Sequence, residues 1–143
     1  MEQGLNSYLK ERFNLNNTDI RTYSPLTLAY IGDAIYDVVI RTMLVDNGNT
    51  SVNNLHRRAS AYVKATTQSK LVAAIMDDLT ENEKDIYRRG RNSKPHTKAK
   101  NASTREYLEA TGFEAVVGYL YLQDDWDRMT DLIKLGLDKI KQD

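Results

Sequence analysis

The chain has 143 residues, 20 basic and 20 acidic side chains that sum to a formal net charge of zero, and no cysteine. This length suits one domain with its own hydrophobic core, and the lack of cysteine excludes disulfides, thiolate nucleophiles and cysteine-ligated metals. No apolar run is long enough to cross a membrane, and the N-terminus lacks a signal-peptide pattern. We therefore expect a cytoplasmic protein with no membrane partner.

The balanced total of charges argues at first against a nucleic-acid partner, because nucleic-acid-binding domains are usually basic. The total, however, conceals blocks of opposite sign. Residues 47–76 contain four basic side chains and residues 86–105 contain seven, and neither block contains an acidic one, whereas residues 77–85 and 106–143 are acidic. Such segregation creates local potentials that the total hides. The basic blocks could bind phosphates, or they could simply be solvated surfaces balanced by acidic helices.

The hydrophobic pattern is helical almost throughout and predicts one all-α domain of six or seven helices. A short amphipathic helix in residues 1–23 is followed by Ser24 and Pro25, which are typical of an N-cap and a first helical residue. The helix that begins there should run to about Val45. Two further apolar stripes follow, within residues 52–63 and 71–76.

A capping-box pattern at Thr80 and Glu83 predicts a short helix that ends near Gly90. Residues 91–103 have no apolar stripe and contain a proline, which predicts a loop. A strongly apolar helix and a C-terminal helix capped by Asp124 and Asp125 complete the domain. Five tyrosines recur at helical spacing among aliphatic residues and are expected to pack in the core: Tyr30, Tyr36, Tyr62, Tyr119 and Tyr121.

Two apolar helices each carry one carboxylate among hydrophobic neighbours, Asp33 in one and Glu114 in the other. A lone buried carboxylate is costly and is normally paired, hydrogen-bonded or bound to a metal. Gly32 and Gly118 could let the two helices cross closely and bring the carboxylates together. Oxygen ligands without cysteine favour Mg²⁺ or Mn²⁺; the alternative for each acid is a salt bridge to an arginine or lysine.

Four segments of the sequence carry a resemblance to a known family: LAYIGDAIY at 28–36, LHRRAS at 55–60, RRGRNSK at 88–94 and TGFEAVVGYLYL at 111–122. Together they resemble the catalytic domain of the ribonuclease III family, and specifically its short bacterial branch, Mini-ribonuclease III. The resemblance covers most of residues 24–135. It implies that residues 24–143 form a ribonuclease III-like catalytic domain without a separate domain for binding double-stranded RNA, preceded by an N-terminal extension over residues 1–23.

The resemblance implies that Asp33 and Glu114 are the catalytic and metal-binding residues, with Mg²⁺ as the cofactor and Mn²⁺ as an alternative. Full-length ribonuclease III has two further carboxylates, at positions occupied here by Ala29 and Thr111. Because these positions lie on the same helical faces as the two acids, the metal should have fewer protein ligands and more water. The short branch shares this reduction.

The function implied by the resemblance is hydrolysis of double-stranded RNA to 5′-phosphate and 3′-hydroxyl ends by a homodimer, with precursor 23S ribosomal RNA as the natural substrate. Basic and polar residues of the two basic blocks should bind the RNA backbone: Arg57, Arg58, Arg88, Arg89, Arg91, Asn92, Lys94, Lys98, Lys100 and Arg105. Two alternatives remain open at this point. One is a catalytically inactive RNA-binding relative with the same fold, and the other is a helical protein-interaction module.

Overall fold

The computed structural model describes residues 4–93 and 104–141. In these ranges the chain forms seven α-helices, two short 3₁₀ helices and no strand, which confirms the all-α prediction. The α-helices are α1 (Leu5–Arg12), α2 (Pro25–Asp46), α3 (Val52–Val63), α4 (Ala65–Ile75), α5 (Glu81–Arg91), α6 (Thr104–Leu122) and α7 (Trp126–Lys141). The 3₁₀ helices are Ile20–Thr22 and Met76–Asp78.

The helix starts follow the capping residues that the sequence predicts. The Ser24 side chain accepts a hydrogen bond from the backbone N–H of Thr27, with Pro25 in the first turn of α2. Thr80 and Glu83 form the reciprocal capping box of α5. Asp125 accepts from the backbone N–H of Arg128 and so caps α7. These side chains satisfy backbone donors that the first helical turn leaves free.

The predicted loop over residues 91–103 is described only in part. Arg91 is still helical and ends α5, while Asn92 and Ser93 follow it. The remaining residues of the predicted loop lie outside the described ranges.

Helix α6 is the centre of the fold and packs against α2, α4, α5 and α7. Its buried side chains come from nearly every face of the helix, among them Phe113, Val116, Val117 and Leu120. A helix that is apolar on most sides is buried on most sides, as the sequence predicts for this segment. Whatever α6 carries among its apolar residues therefore lies close to several neighbouring helices.

One of the five core predictions for tyrosine is wrong. Tyr36 and Tyr121 are buried, and Tyr62 and Tyr119 pack at the edge of the core, but Tyr30 is 82% exposed. Tyr30 follows Ala29, which is buried, so it has turned past the buried face of α2 towards solvent. Helical spacing alone does not separate positions at the edge of the apolar stripe from positions inside it.

None of the helices in the described part of the chain combines the length and the apolar character that crossing a bilayer requires.

Candidate active site at the crossing of α2 and α6

Glycines allow α2 and α6 to cross with their backbones in contact. A Cβ atom on Gly32 would overlap the backbone carbonyl oxygen of Glu114, and a Cβ atom on Gly118 would overlap the carbonyl oxygen of Leu28. Only glycine fits such an approach. The close crossing predicted from Gly32 and Gly118 is therefore confirmed, and it fixes Asp33 beside Glu114.

The two carboxyl groups interact and have different environments. Asp33 is exposed, whereas the Glu114 side chain is largely buried. Burial raises the pKa of Glu114 to about 9, with smaller contributions from hydrogen bonding with Asp33 and from the charge of Asp33. A neighbouring like charge disfavours ionisation in the same direction as burial does. Without a cation, Glu114 therefore holds its proton at neutral pH.

Aromatic packing between the same two helices lies near the site. The rings of Tyr36 and Phe113 meet edge to face, with centroids 5.3 Å apart. The hydroxyl of Tyr36 donates to the backbone carbonyl of Tyr62 at 2.9 Å, and burial raises the pKa of Tyr36. This contact ties the helix that carries Asp33 both to α6 and to the end of α3.

Gln68 of α4 is a buried polar residue that the sequence reasoning did not single out. Its side chain is 2% exposed, and its Nε2 donates to Val63 O at 2.8 Å and to Glu114 Oε2 at 3.4 Å. Its Oε1 is buried without a hydrogen-bond partner. A signal for it was present, because Gln68 falls on the apolar stripe of α4 with Leu71 and Ile75.

The positions of the two carboxylates that full-length ribonuclease III has and this chain lacks are buried. Ala29 is in the core, and the Thr111 hydroxyl donates to the carbonyl of Tyr107 in its own helix. Among the described residues no group of three or more acidic, histidine or cysteine side chains could hold a metal. The protein ligands available at this crossing are therefore Asp33 and Glu114.

This donor set suits a hard cation. Two carboxylates offer oxygen atoms only, and Mg²⁺ typically takes one or two carboxylates and completes its shell with water or substrate phosphate. A divalent ion between Asp33 and Glu114 would also offset the repulsion that keeps Glu114 protonated. The residues present thus fit the magnesium ion that the sequence led us to expect.

The arginines at the end of α5 lie on the helix that packs against α6 on another side. A Cβ atom on Gly90 would lie 2.9 Å from the Cα of Gly112, so the end of α5 meets α6 about half a turn before Glu114. Arg88 and Arg89 are exposed there, and the Arg91 guanidinium lies over the Tyr87 ring, 5.6 Å from its centroid. The sequence did not predict this second glycine contact.

The other predicted RNA-binding residues are dispersed. Arg57 and Arg58 are exposed on α3, which packs against α2 and α4, and Arg57 donates to Asn54 at 2.7 Å. Arg105 pairs with Glu109 on its own helix at 3.5 Å. Asn92 is exposed at the end of α5, and Lys94, Lys98 and Lys100 lie outside the described residues.

Comparison with known proteins assigns the class. The Ribonuclease III domain model matches residues 26–125, a range that contains both carboxylates and the end of α5. A protein from Fusobacterium nucleatum, solved by X-ray crystallography, has the same fold with a TM-score of 0.77 and 35% sequence identity, over 83% of this chain and 97% of that one. Fold, site and family model together define a ribonuclease III domain.

Two relatives show to which branch of the ribonuclease III class the chain belongs. The Mini-ribonuclease 3 of Symbiobacterium thermophilum is 46% identical over 121 residues, which cover 85% of this chain and 93% of the relative. The Mini-ribonuclease 3 of a Thermoanaerobacter species is 42% identical over 142 residues, which cover 99% and 100%. The chain belongs to the Mini-ribonuclease 3 family, as the four sequence segments predicted.

Proposed function

We propose that the chain is a divalent-cation-dependent endoribonuclease that hydrolyses double-stranded RNA. The observation that carries the proposal is the pairing of Asp33 with Glu114 at the glycine-mediated crossing of α2 and α6. A protein that only bound RNA would gain nothing from a buried carboxyl beside a second carboxylate, since the arrangement costs stability once both are ionised. Membership of the Mini-ribonuclease 3 family supports the same reaction.

In this proposal Asp33 and Glu114 hold Mg²⁺, or Mn²⁺ in its place. When bound, the cation would supply Lewis-acid chemistry, activating the attacking water and neutralising charge on the scissile phosphate. Glu114 must lose its proton to bind, and Asp33 is exposed and therefore accessible to a substrate. Hydrolysis would leave a 5′-phosphate and a 3′-hydroxyl.

The chain's own contribution to catalysis is a fixed geometry. The backbone contact at Gly32 sets the separation of α2 and α6, and the packing of Tyr36 on Phe113 holds the same helices one turn further along. Neither carboxylate-bearing helix can shift without breaking both contacts. Fixed ligands reduce the reorganisation that the reaction requires.

RNA would bind through phosphate contacts from the exposed arginines. Arg88 and Arg89 lie at the end of α5, which packs against another side of α6 at Gly112, two residues before Glu114. Arginines in such a position suit the backbone of an A-form duplex, which proteins recognise mainly by shape and by phosphate and 2′-hydroxyl contacts. Arg57 and Arg58 would extend the contact, as would Arg91, Asn92, Arg105 and the lysines of the intervening segment.

We propose further that the protein acts as a homodimer in the cytoplasm on the paired stem of precursor 23S ribosomal RNA, as the family resemblance implies. Two sites would let one dimer cut both strands of a duplex. The exposed ring of Tyr30 supports an interface close to the site, because it lies one turn before Asp33 on α2. Exposed aromatic side chains of this kind are enriched in protein–protein interfaces.

The proposal is tested by Asp33→Asn, with Asp37→Asn as the matched control. Both residues are on α2, and each substitution removes one negative charge, but Asp37 pairs with Arg41 at 3.1 Å instead of facing Glu114. Asp33→Asn should lower Mg²⁺-dependent cleavage of a perfectly paired RNA by a factor of at least about 10², while Asp37→Asn should cut at nearly the wild-type rate. Gel electrophoresis of end-labelled RNA measures both rates.

Duplex binding in chelator separates catalysis from folding in the same experiment. Asp33 is exposed, so the Asn variant should keep its circular dichroism spectrum and its affinity for RNA. Cleavage by Asp33→Asn at the wild-type rate would refute the assignment. If the wild-type protein bound RNA in Mg²⁺ without cutting it, the alternative of a catalytically inactive RNA-binding relative would be favoured. That alternative is consistent with Ala29 and Thr111, which stand where full-length ribonuclease III has carboxylates.

A further inference from the structure

Gln68 makes contacts that connect the candidate metal site to the junction of α3 and α4. The junction turns sharply, since Lys64 both ends α3 and begins α4. Three backbone carbonyls at the end of α3 accept hydrogen bonds from side chains of α2 and α4. Ala61 accepts from Thr67 at 2.5 Å, Tyr62 from Tyr36 at 2.9 Å and Val63 from Gln68 at 2.8 Å. Of these three donors, Gln68 is the one that also donates to Glu114.

The orientation of the Gln68 amide follows from its neighbours. Val63 O can only accept, so it requires the NH₂ group of the amide to face it, and the same nitrogen then lies against Glu114 Oε2. Gln68 Oε1 is then left without a partner in the interior. An unpartnered buried acceptor lowers stability, so capping α3 does not by itself account for an amide at this position.

The contact with Glu114 accounts for the presence of a glutamine at position 68. A carboxylate that binds a metal needs one oxygen directed at the metal and is commonly held by a hydrogen bond on its other oxygen. Nε2 of Gln68 lies against Oε2 of Glu114, and Asp33 also adjoins this carboxyl. Gln68 is buried and its Nε2 also donates to Val63 O, and these two constraints hold the donor beside Glu114.

We propose that Gln68 is a positioning residue for the metal site, holding the Glu114 carboxylate in the orientation that binds the divalent cation. The inference rests on the proposed function, in which Asp33 and Glu114 are the ligands. It adds a third helix to the site, because α4 would fix a ligand carried by α6. Gln68 itself does not touch the substrate in this account.

The test compares Gln68→Met with Thr67→Val by measuring Mn²⁺ binding to the RNA-free protein by electron paramagnetic resonance. Met has nearly the length of Gln and no hydrogen-bond donor, so it removes the contacts with both Val63 and Glu114. Thr67→Val removes a neighbouring cap of the same junction, to Ala61, without involving Glu114. Gln68→Asn, which keeps an amide but shortens its reach, gives a polar alternative if the Met variant does not fold.

We expect Gln68→Met or Gln68→Asn to weaken Mn²⁺ binding by about tenfold or more, and Thr67→Val to bind Mn²⁺ as the wild type does. In the cleavage assay the Gln68 variants should need correspondingly more Mg²⁺ for half-maximal rate, and the rate at saturating Mg²⁺ should largely recover. A defect that only affected folding would not produce this split between metal requirement and maximal rate.

Two results would overturn the inference while leaving the proposed function intact. One is Mn²⁺ binding by the Gln68 variants equal to that of the wild type when Glu114→Gln binds poorly. The other is equal weakening in Thr67→Val, which would assign the effect to the α3–α4 junction. If instead Glu114→Gln bound Mn²⁺ as well as the wild type, the metal site itself would be wrong, and the inference would fail with it.

Discussion

Glu114 is the residue on which the proposed metal site depends most. Burial and the neighbouring Asp33 raise its pKa to about 9 from an unperturbed value of 4.5. Between these two pH values the folded protein holds a proton that the unfolded chain releases. Folding stability from this group is therefore complete below the unfolded pKa and is lost as the pH rises towards the folded pKa.

Replacing Glu114 with Gln should remove this pH dependence from the metal-free protein. In chelator, we expect the free energy of unfolding of the wild type, relative to that of Glu114→Gln, to fall by about 3 kcal/mol between pH 6 and pH 8, since each of the two pH units is worth about 1.4 kcal/mol while the proton stays bound in the folded protein only. Urea unfolding at several pH values measures the difference. A difference in unfolding free energy that stays constant with pH would mean that Glu114 is ionised in the folded protein and that folding does not raise its pKa.

The sequence predicted Asp33 and Glu114 but not Gln68, for a physical reason. A carboxylate in an apolar stripe is conspicuous because its burial is costly. An amide is cheaper to bury and is usually read as part of a polar helix face, and its two partners are a backbone carbonyl and a residue 46 positions away. Tyr30 shows the opposite error, since an aromatic residue at helical spacing proved to be exposed.

At the scale of elements, the site is made by helices that approach through glycine. Gly32 and Gly118 bring α2 against α6, and Gly90 and Gly112 bring α5 against α6. The first pair could be predicted because each glycine lies within four residues of an unusual carboxylate. The second pair could not, because Gly90 lies in the last turn of a short polar helix and resembles an ordinary C-terminal glycine.

Gly32→Ala should therefore cost far more stability than Gly136→Ala. At Gly32 the new methyl group would meet the rigid backbone of α6, while at Gly136 it would lie 2.6 Å from the Cγ and from one Cδ atom of the buried Leu71 side chain. A leucine side chain can repack more easily than a helix backbone can shift, so we expect destabilisation by more than about 3 kcal/mol at Gly32 and by less at Gly136. At Gly136 the helix-forming gain of alanine, about 1 kcal/mol, should also offset part of the clash.

Thermal or urea unfolding of the two variants measures this comparison. Metal binding should fall with stability in Gly32→Ala, because a wider crossing separates Asp33 from Glu114. Equal stability of the two variants would show that α2 and α6 can separate without cost, and the fixed geometry proposed for the site would then be wrong.

Across the whole molecule, the net charge of zero conceals an uneven distribution of charged side chains. The fold places exposed arginines at the end of α5, on a helix packed against the one that carries Glu114. With no overall positive field to attract RNA, binding should depend on a few local phosphate contacts and respond steeply to salt. The charge blocks were visible in the sequence, but their position relative to the carboxylates depended on helix packing.

The double variant Arg88→Ala/Arg89→Ala tests this arrangement. In chelator, where no cleavage occurs, we expect weaker duplex binding and a log–log salt slope smaller by about one for each phosphate that the variant no longer binds. Lys134→Ala/Lys141→Ala removes the same charge from α7, which carries none of the candidate site residues, and should leave the slope unchanged. If the Arg88→Ala/Arg89→Ala variant kept the same salt slope as the Lys134→Ala/Lys141→Ala control, the α5 arginines would be solvated side chains that do not contact phosphate.

The central claim is that a divalent cation at the crossing of α2 and α6 lets this chain cut double-stranded RNA. It is tested most directly by incubating the wild-type protein with one duplex sequence made as RNA and as DNA, in chelator and after Mg²⁺ is added back. We expect staggered cuts in both strands of the RNA, with 5′-phosphate ends, and only in Mg²⁺. Cleavage that persists in chelator, or that is equally fast on the DNA duplex, would contradict it.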